Sequence, residues 1–171
     1  MHMTSTARLS AIAATLALLS ACTSTSDITD TKIGHDPIDI EGSTMHHMVQ
    51  NLRAGYGVQD LQLVAKISGV ARDHGRDMAR NDYFSHTSQD GRGLADRLEA
   101  AGYDACFASE NIGYGSLYAE PEEILAAWMN SPGHRKNLTA DRPTEYGFAK
   151  VPDSDGSHDP IWVMIFADPG C

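Results

Sequence analysis

The sequence of 171 residues contains no apolar stretch of the roughly 20 residues that a permanent membrane-crossing helix requires. Its longest run, residues 9–19, is shorter than that, and it follows Arg8, the sole formal charge among the first twenty-six residues. A short apolar run behind one positive charge has the form of an export signal. Basic residues are also scarce, thirteen Lys and Arg against twenty-three Asp and Glu, for a formal charge of −10. That balance opposes nucleic-acid binding, which depends on neutralising phosphates. Catalytic motifs are missing too. No serine lies in a Gly-x-Ser-x-Gly elbow, Ser85, Ser109 and Ser131 included, and no His-Glu-x-x-His pair suggests a zinc protease. Cysteine is limited to three positions, Cys22, Cys106 and Cys171.

What is present begins at the end of the apolar run. Leu19-Ser20-Ala21-Cys22 resembles the lipobox of bacterial lipoproteins, in which cleavage before the cysteine leaves a lipidated N-terminus. Acyl chains such as palmitate on Cys22 would hold the chain at a membrane, since each buried CH₂ contributes roughly 0.8 kcal/mol. The alternative is simple secretion with a free cysteine. Thr23, where that resemblance would place Asp for inner-membrane retention, points to the outer membrane of a Gram-negative bacterium, facing the periplasm or the surface. Residues 22–42 then form the lipidated end and a Ser/Thr/Asp-rich linker with little apolar content. Its reach is roughly 60 Å fully extended and about 20–25 Å as a coil. The expected organisation is a signal peptide over 1–21, the anchor and linker over 22–42, and one domain over 43–171. Removing the signal takes away one arginine and leaves a charge near −11. In an oxidising compartment Cys106 and Cys171 are most simply a disulfide, the alternative being two unpaired buried thiols.

Within the domain, Ser43 and Thr44 can cap a helix presenting Met45, Met48, Val49 and Leu52, ended by Gly55 and Gly57. Residues 64–80 carry Val64, Ile67, Val70, Ala71, His74 and Met78 at helical spacing, with Gly69 and Gly75 leaving room for close packing. A short helix is expected over 93–101 and a strand around 109–112. Pro121 with Glu122 and Glu123 opens a further helix burying Ile124, Leu125 and Trp128. Ser131-Pro132-Gly133 reads as a sharp break before His134. Strands are expected over 144–151 and 160–167, joined by a polar connection. Trp162, Met164 and Phe166 alternate with Val163, Ile165 and Ala167, so the last strand should be covered on both faces. The pattern implies an α/β fold, a three-layer α-β-α sandwich with helices on both faces of a largely antiparallel sheet.

Several segments together resemble the bacterial, SCP-like branch of the CAP superfamily. They are Asn51-Leu52-Arg53, the helix with Ala71 and His74, Tyr83 to His86 followed by Asp90-Gly91, Arg97, Gly102-Tyr103, Glu110 to Gly113, Trp128 to Arg135 and Trp162 to Ala167. The resemblance implies the same sandwich and a surface cleft of two histidines with acidic residues. It carries the cleft roles to His86, Glu110 and His134, with Asn111 beside them as a ligand-binding candidate. Eukaryotic relatives add a glutamate where this chain has Ser131, so one carboxylate of the set is missing. Two imidazoles and a carboxylate would suit a Zn²⁺ or Ca²⁺ site, or a general base acting with water. Alternatively, Glu110 stitches the cleft together structurally, because a buried carboxylate needs a hydrogen-bonding or charged partner. His74 reads as a core histidine, His35, His46, His47 and His158 as solvated, Trp128 as a helix anchor, and Asn51 and Arg53 as packing residues. The leading functional expectation is a membrane-anchored envelope binding module for a cation, small ligand, lipid or protein partner, with no nucleic acid. The second is a His/Glu-dependent hydrolase of peptide or ester bonds in the envelope.

Overall fold

The computed structural model describes residues 40–152 and 159–170. All of them belong to one compact unit of the chain. The signal, the lipobox and most of the linker lie outside the described residues, as do Cys171, the polar connection 153–158, His35 and His158. Among the described residues no helix is long and apolar enough to cross a membrane.

The sheet is built around β4 (Pro160–Pro169), which pairs antiparallel with β2 (Ala105–Tyr114) on one side and with β3 (Glu145–Pro152) on the other. A two-residue strand, β1 (Gln62–Leu63), adds parallel to β3, giving the order β1-β3-β4-β2. This strand carried no sequence signal, being too short for any alternation to show. The apolar alternation of β4 divides between two cores. Ile161, Val163, Ile165 and Ala167 lie in one, together with Ile67, Val70, Ala71 and Met78 of α2 (Ala65–Arg80). Trp162, Met164 and Phe166 lie in the other, with Met45 and Val49 of α1 (Ile40–Gly55) and Ile124, Leu125 and Trp128 of α4 (Pro121–Asn130). Successive side chains of a strand point to opposite faces, so a strand apolar on both must be covered on both. The result is the expected mixed α/β sandwich, with helices flanking a partly open sheet.

Close approach of α2 to the sheet depends on two glycines. A Cβ on Gly147 of β3 would lie 2.3 Å from the Ser68 backbone nitrogen, and one on Gly75 would lie 2.8 Å from Val151 Cγ2. Gly69, by contrast, faces open space. Two helix boundaries differ from expectation. α1 begins at Ile40, so Ser43 and Thr44 sit inside it; burial of Met45 and Val49 outweighs their capping preference. After Ser131 the chain does not stay irregular. Pro132 opens a further helix, α5 (Pro132–Leu138), because its fixed φ and missing N–H suit a first helical position as well as Pro121 does.

β2 is an edge strand, and its outer side is covered by side-chain donors. Arg142 Nη2 donates to the Cys106 carbonyl at 3.2 Å, Asn137 Nδ2 to the Glu110 carbonyl at 3.3 Å and Trp128 Nε1 to the Ile112 carbonyl at 3.2 Å. Covering an edge in this way removes a template for unwanted strand pairing. It also brings α5, with His134, against the strand that carries Glu110.

Candidate functional site

Glu110 lies on β2 in register with Ile165 and is 8% exposed. A carboxylate so placed needs partners, and both of its oxygens have one. Oε1 is 2.8 Å from His86 Nδ1, and Oε2 accepts from Arg97 Nη2 at 2.9 Å. Arg97 comes from α3 (Leu94–Ala100), where it is buried next to Leu98, and the same Nη2 also donates to the His86 carbonyl at 3.2 Å. α3 is anchored at its start by Asp96, whose Oδ2 accepts from the Gly93 N–H at 2.8 Å. One guanidinium thus fixes both the carboxylate and the backbone that carries the imidazole. The His86 side chain itself is 56% exposed. With Nδ1 turned to the carboxylate, Nε2 is the ring nitrogen left for a ligand or a proton.

His134 lies in the first turn of α5, a regular helix where an irregular segment was expected. Its backbone carbonyl accepts from Asn111 Nδ2 at 3.1 Å, and Asn111 Oδ1 accepts from Asn137 Nδ2 at 2.8 Å. Asn111 is fully buried, so its side chain ties α5 to β2. The His134 ring lies 6.3 Å from that of Trp128. Burial, and then the charge of the neighbouring His86, pull the His134 imidazole below its ordinary value. Among the described residues no hydrogen bond joins its ring to His86 or Glu110. The fold therefore gathers a His/Glu-containing buried cluster that could form a binding cleft, with His86 and Glu110 in direct contact and His134 within electrostatic reach. A shallow cavity lined by His86, Thr87, Gly93, Leu94 and Glu110 opens beside the pair.

Two expectations are corrected. Among the described residues no group of three or more His, Cys, Asp or Glu side chains could hold a metal ion, so the Zn²⁺ or Ca²⁺ site at His86, Glu110 and His134 is withdrawn. The physical reason is Arg97: it is a fixed positive charge on one Glu110 oxygen while His86 takes the other. The expected disulfide is likewise not found among the described residues, where Cys106 is the one cysteine. Cys106 is not a free thiol, but Cys171 lies outside those residues.

Other readings fare variously. His74 is a buried core histidine whose Nε2 pairs with the Ser85 carbonyl at 3.0 Å. Trp128 is a buried anchor. Arg53 is fully buried and donates to the carbonyls of Gln59, Leu138 and Ala140, whereas Asn51 is exposed. His46 is not simply solvated: it is half-buried, with Nδ1 2.6 Å from the Tyr146 hydroxyl. Arg97 and Asn137 had been given no role. The signal for Arg97 was the need of Glu110 for a cation; Asn137 left none, because its partners are backbone and amide groups reached across tertiary space.

Fold and cluster together define a CAP-type α-β-α domain with a histidine–carboxylate cleft. The chain belongs to the CAP (cysteine-rich secretory protein) family, which it matches over residues 46–166. It is 36% identical over 114 residues to the uncharacterized protein YkwD of Bacillus subtilis (strain 168), covering 67% of this chain and 42% of that one. The chain spans less than half the length of the curated relatives it matches. Among solved structures it resembles an outer surface protein of Borrelia burgdorferi, with a TM-score of 0.70 and 19% identity over 78% of this chain and 96% of that one; this likeness concerns the fold alone. It also resembles an extracellular protein containing a SCP domain from Bacillus anthracis str. Ames, with a TM-score of 0.64 and 28% identity over 73% of this chain and 39% of that one.

Proposed function

We propose that this chain is an exported CAP-domain binding module, tethered to a membrane through lipid on Cys22, whose cleft takes a small polar ligand between His86 and His134. In this reading residues 1–21 are removed as the signal, 22–42 form the anchored linker and 43–171 the domain. The observation that carries the binding role is the saturation of Glu110 by His86 and Arg97. It makes the carboxylate an internal brace, leaving His86 Nε2 and the His134 ring to meet a ligand and Asn111 to hold α5 in place. The Bacillus anthracis relative is described as extracellular, which supports export. A lipid or protein partner in the envelope fits the same location.

A second reading is a hydrolase of peptide or ester bonds. The favouring observation is again His86, since an imidazole held at Nδ1 by a buried carboxylate is arranged to accept a proton at Nε2 from water. Turnover assays with peptide and ester substrates separate the two. The binding reading expects no turnover that depends on these groups. The hydrolase reading expects H86A, E110Q and H134A each to abolish turnover in protein that remains folded. For the anchor, C22S should move the chain from the membrane to the soluble fraction with the domain still folded; an unchanged membrane fraction would refute lipid attachment at Cys22.

A further inference from the structure

A cavity of about 370 Å³ between α2 and α3 lies outside the cleft lining, though Arg97 of its wall also holds Glu110. It is lined by Arg76, Arg80, Arg92 and Arg97, so four of the chain's nine arginines meet at one opening. In a chain of formal charge −10 such a concentration asks for a cause. Asp73 and Asp77 also line the cavity and offset part of this charge; Asp77 accepts from Asn81 Nδ2 at 2.8 Å and from the Tyr83 hydroxyl, both neutral donors. Asp73 is exposed. Arg92 pairs with Asp90 and Arg97 with Glu110, but Arg76 and Arg80 are exposed and form no ion pair among the described residues.

An independent observation comes from the cavity wall. Arg97 is 7% exposed, and its Nε and Nη1 are buried without a hydrogen-bond partner. His74, 2% exposed and also lining the cavity, leaves Nδ1 unpartnered. Each such group costs about 1–3 kcal/mol if nothing meets it. Because His74 Nε2 faces the Ser85 carbonyl, it is the proton-bearing nitrogen and Nδ1 is an acceptor. Burial, and then the Arg97 charge, pull the His74 imidazole below its ordinary value and keep it neutral near pH 7. These unpartnered Arg97 and His74 atoms lie behind the cavity surface, out of contact with solvent, so what Arg97 lends the wall is its positive charge.

We propose that this cavity binds a small oxyanion, a phosphate or carboxylate group, with Arg76 and Arg80 at its mouth and Arg97 and His74 in its wall. Several arginines around one opening suit oxygen-rich anions, because each guanidinium presents a rigid fork of donors. The site shares Arg97 with the brace of Glu110 but opens away from the His86/His134 cleft lining, and it stands whether or not that cleft binds or cleaves anything.

The test uses the full chain at constant ionic strength, titrated with inorganic phosphate and, in a second arm, with acetate. The expected result is saturable shifts of the Arg97 Nε–H and of α2 amides around residues 73–80 in ¹⁵N–¹H spectra, with a Kd below about 1 mM. Saturation with phosphate alone assigns phosphate chemistry; saturation with acetate alone assigns carboxylate chemistry. R76Q and R80Q, at exposed positions that should leave the fold intact, are expected to weaken binding about tenfold each, or roughly 1.4 kcal/mol. Linear, unsaturable shifts with both anions, or saturable binding that neither variant weakens, would overturn the proposal.

Discussion

Replacing Glu110 by glutamine preserves shape and removes the charge that Arg97 faces. In the Arg97–Glu110 pair the side chains are only 6% and 3% exposed, so neither group can turn to water. Removing one partner of a buried pair typically costs about 3–5 kcal/mol, because the remaining charge is left uncompensated. Glutamine can still accept one hydrogen bond, which places E110Q near the lower end, at about 3 kcal/mol. That is a large share of the roughly 5–15 kcal/mol by which domains are stable. Urea unfolding followed by tryptophan fluorescence measures it as a fall in midpoint at unchanged slope. R97M should cost a similar amount, since Glu110 is then the stranded charge. Joining the two, as R97M with E110Q, removes both charges and should cost about 2–3 kcal/mol less than the sum of the singles. H86A should fall within about 1 kcal/mol of the parent, because that partner is half exposed. A loss below about 1 kcal/mol for E110Q, or strictly additive costs, would refute the assignment of Glu110 as a brace held by Arg97.

Three further outcomes are expected. G147A should destabilise by about 3 kcal/mol or more, since its Cβ would meet the α2 backbone at Ser68, while G113A should cost about 1 kcal/mol because the obstacle is the mobile end of Ile124; equal unfolding midpoints would contradict this. His74 is held below its ordinary value by burial, so the unfolded chain binds its proton more readily: the stability it contributes is present above about pH 6.5 and is lost as pH falls below that. His134 has the same sign, so urea midpoints at about pH 7.5 and about pH 5 should differ less in H74Q than in the parent, with H134Q measured alongside. R53M strands the carbonyls of Gln59, Leu138 and Ala140 and should cost about 3 kcal/mol in the same assay; a change under about 1 kcal/mol would mean that water replaces the guanidinium.

How much of this was legible depended on the range of the interaction. The strand over 160–167, apolar at every position, announced a sheet covered on both faces, because pleat alternation is a local property. Pro121 and its acidic neighbours marked α4 for the same reason. α5 was missed although Pro132 obeys the same rule, since Ser-Pro-Gly also signals a break and only packing of Leu138 in the core distinguishes the two. β1 was missed because its stability comes from pairing with Glu145 and Tyr146, over eighty residues away.

The sequence by itself therefore determined the acidic balance, the apolar periodicities and most of the elements, all carried by side-chain type and short spacing, while the expected cleft residues came from the resemblance to the CAP superfamily. Tertiary structure alone decided what those residues do together. Nothing in the spacing of His86, Arg97 and Glu110 says that one carboxylate is shared between an imidazole and a guanidinium, yet that sharing excludes the expected cation and makes Glu110 a brace. The physical reason is that electrostatics acts through space at a few ångströms, and the chain sets such distances only once α3 and β2 are packed.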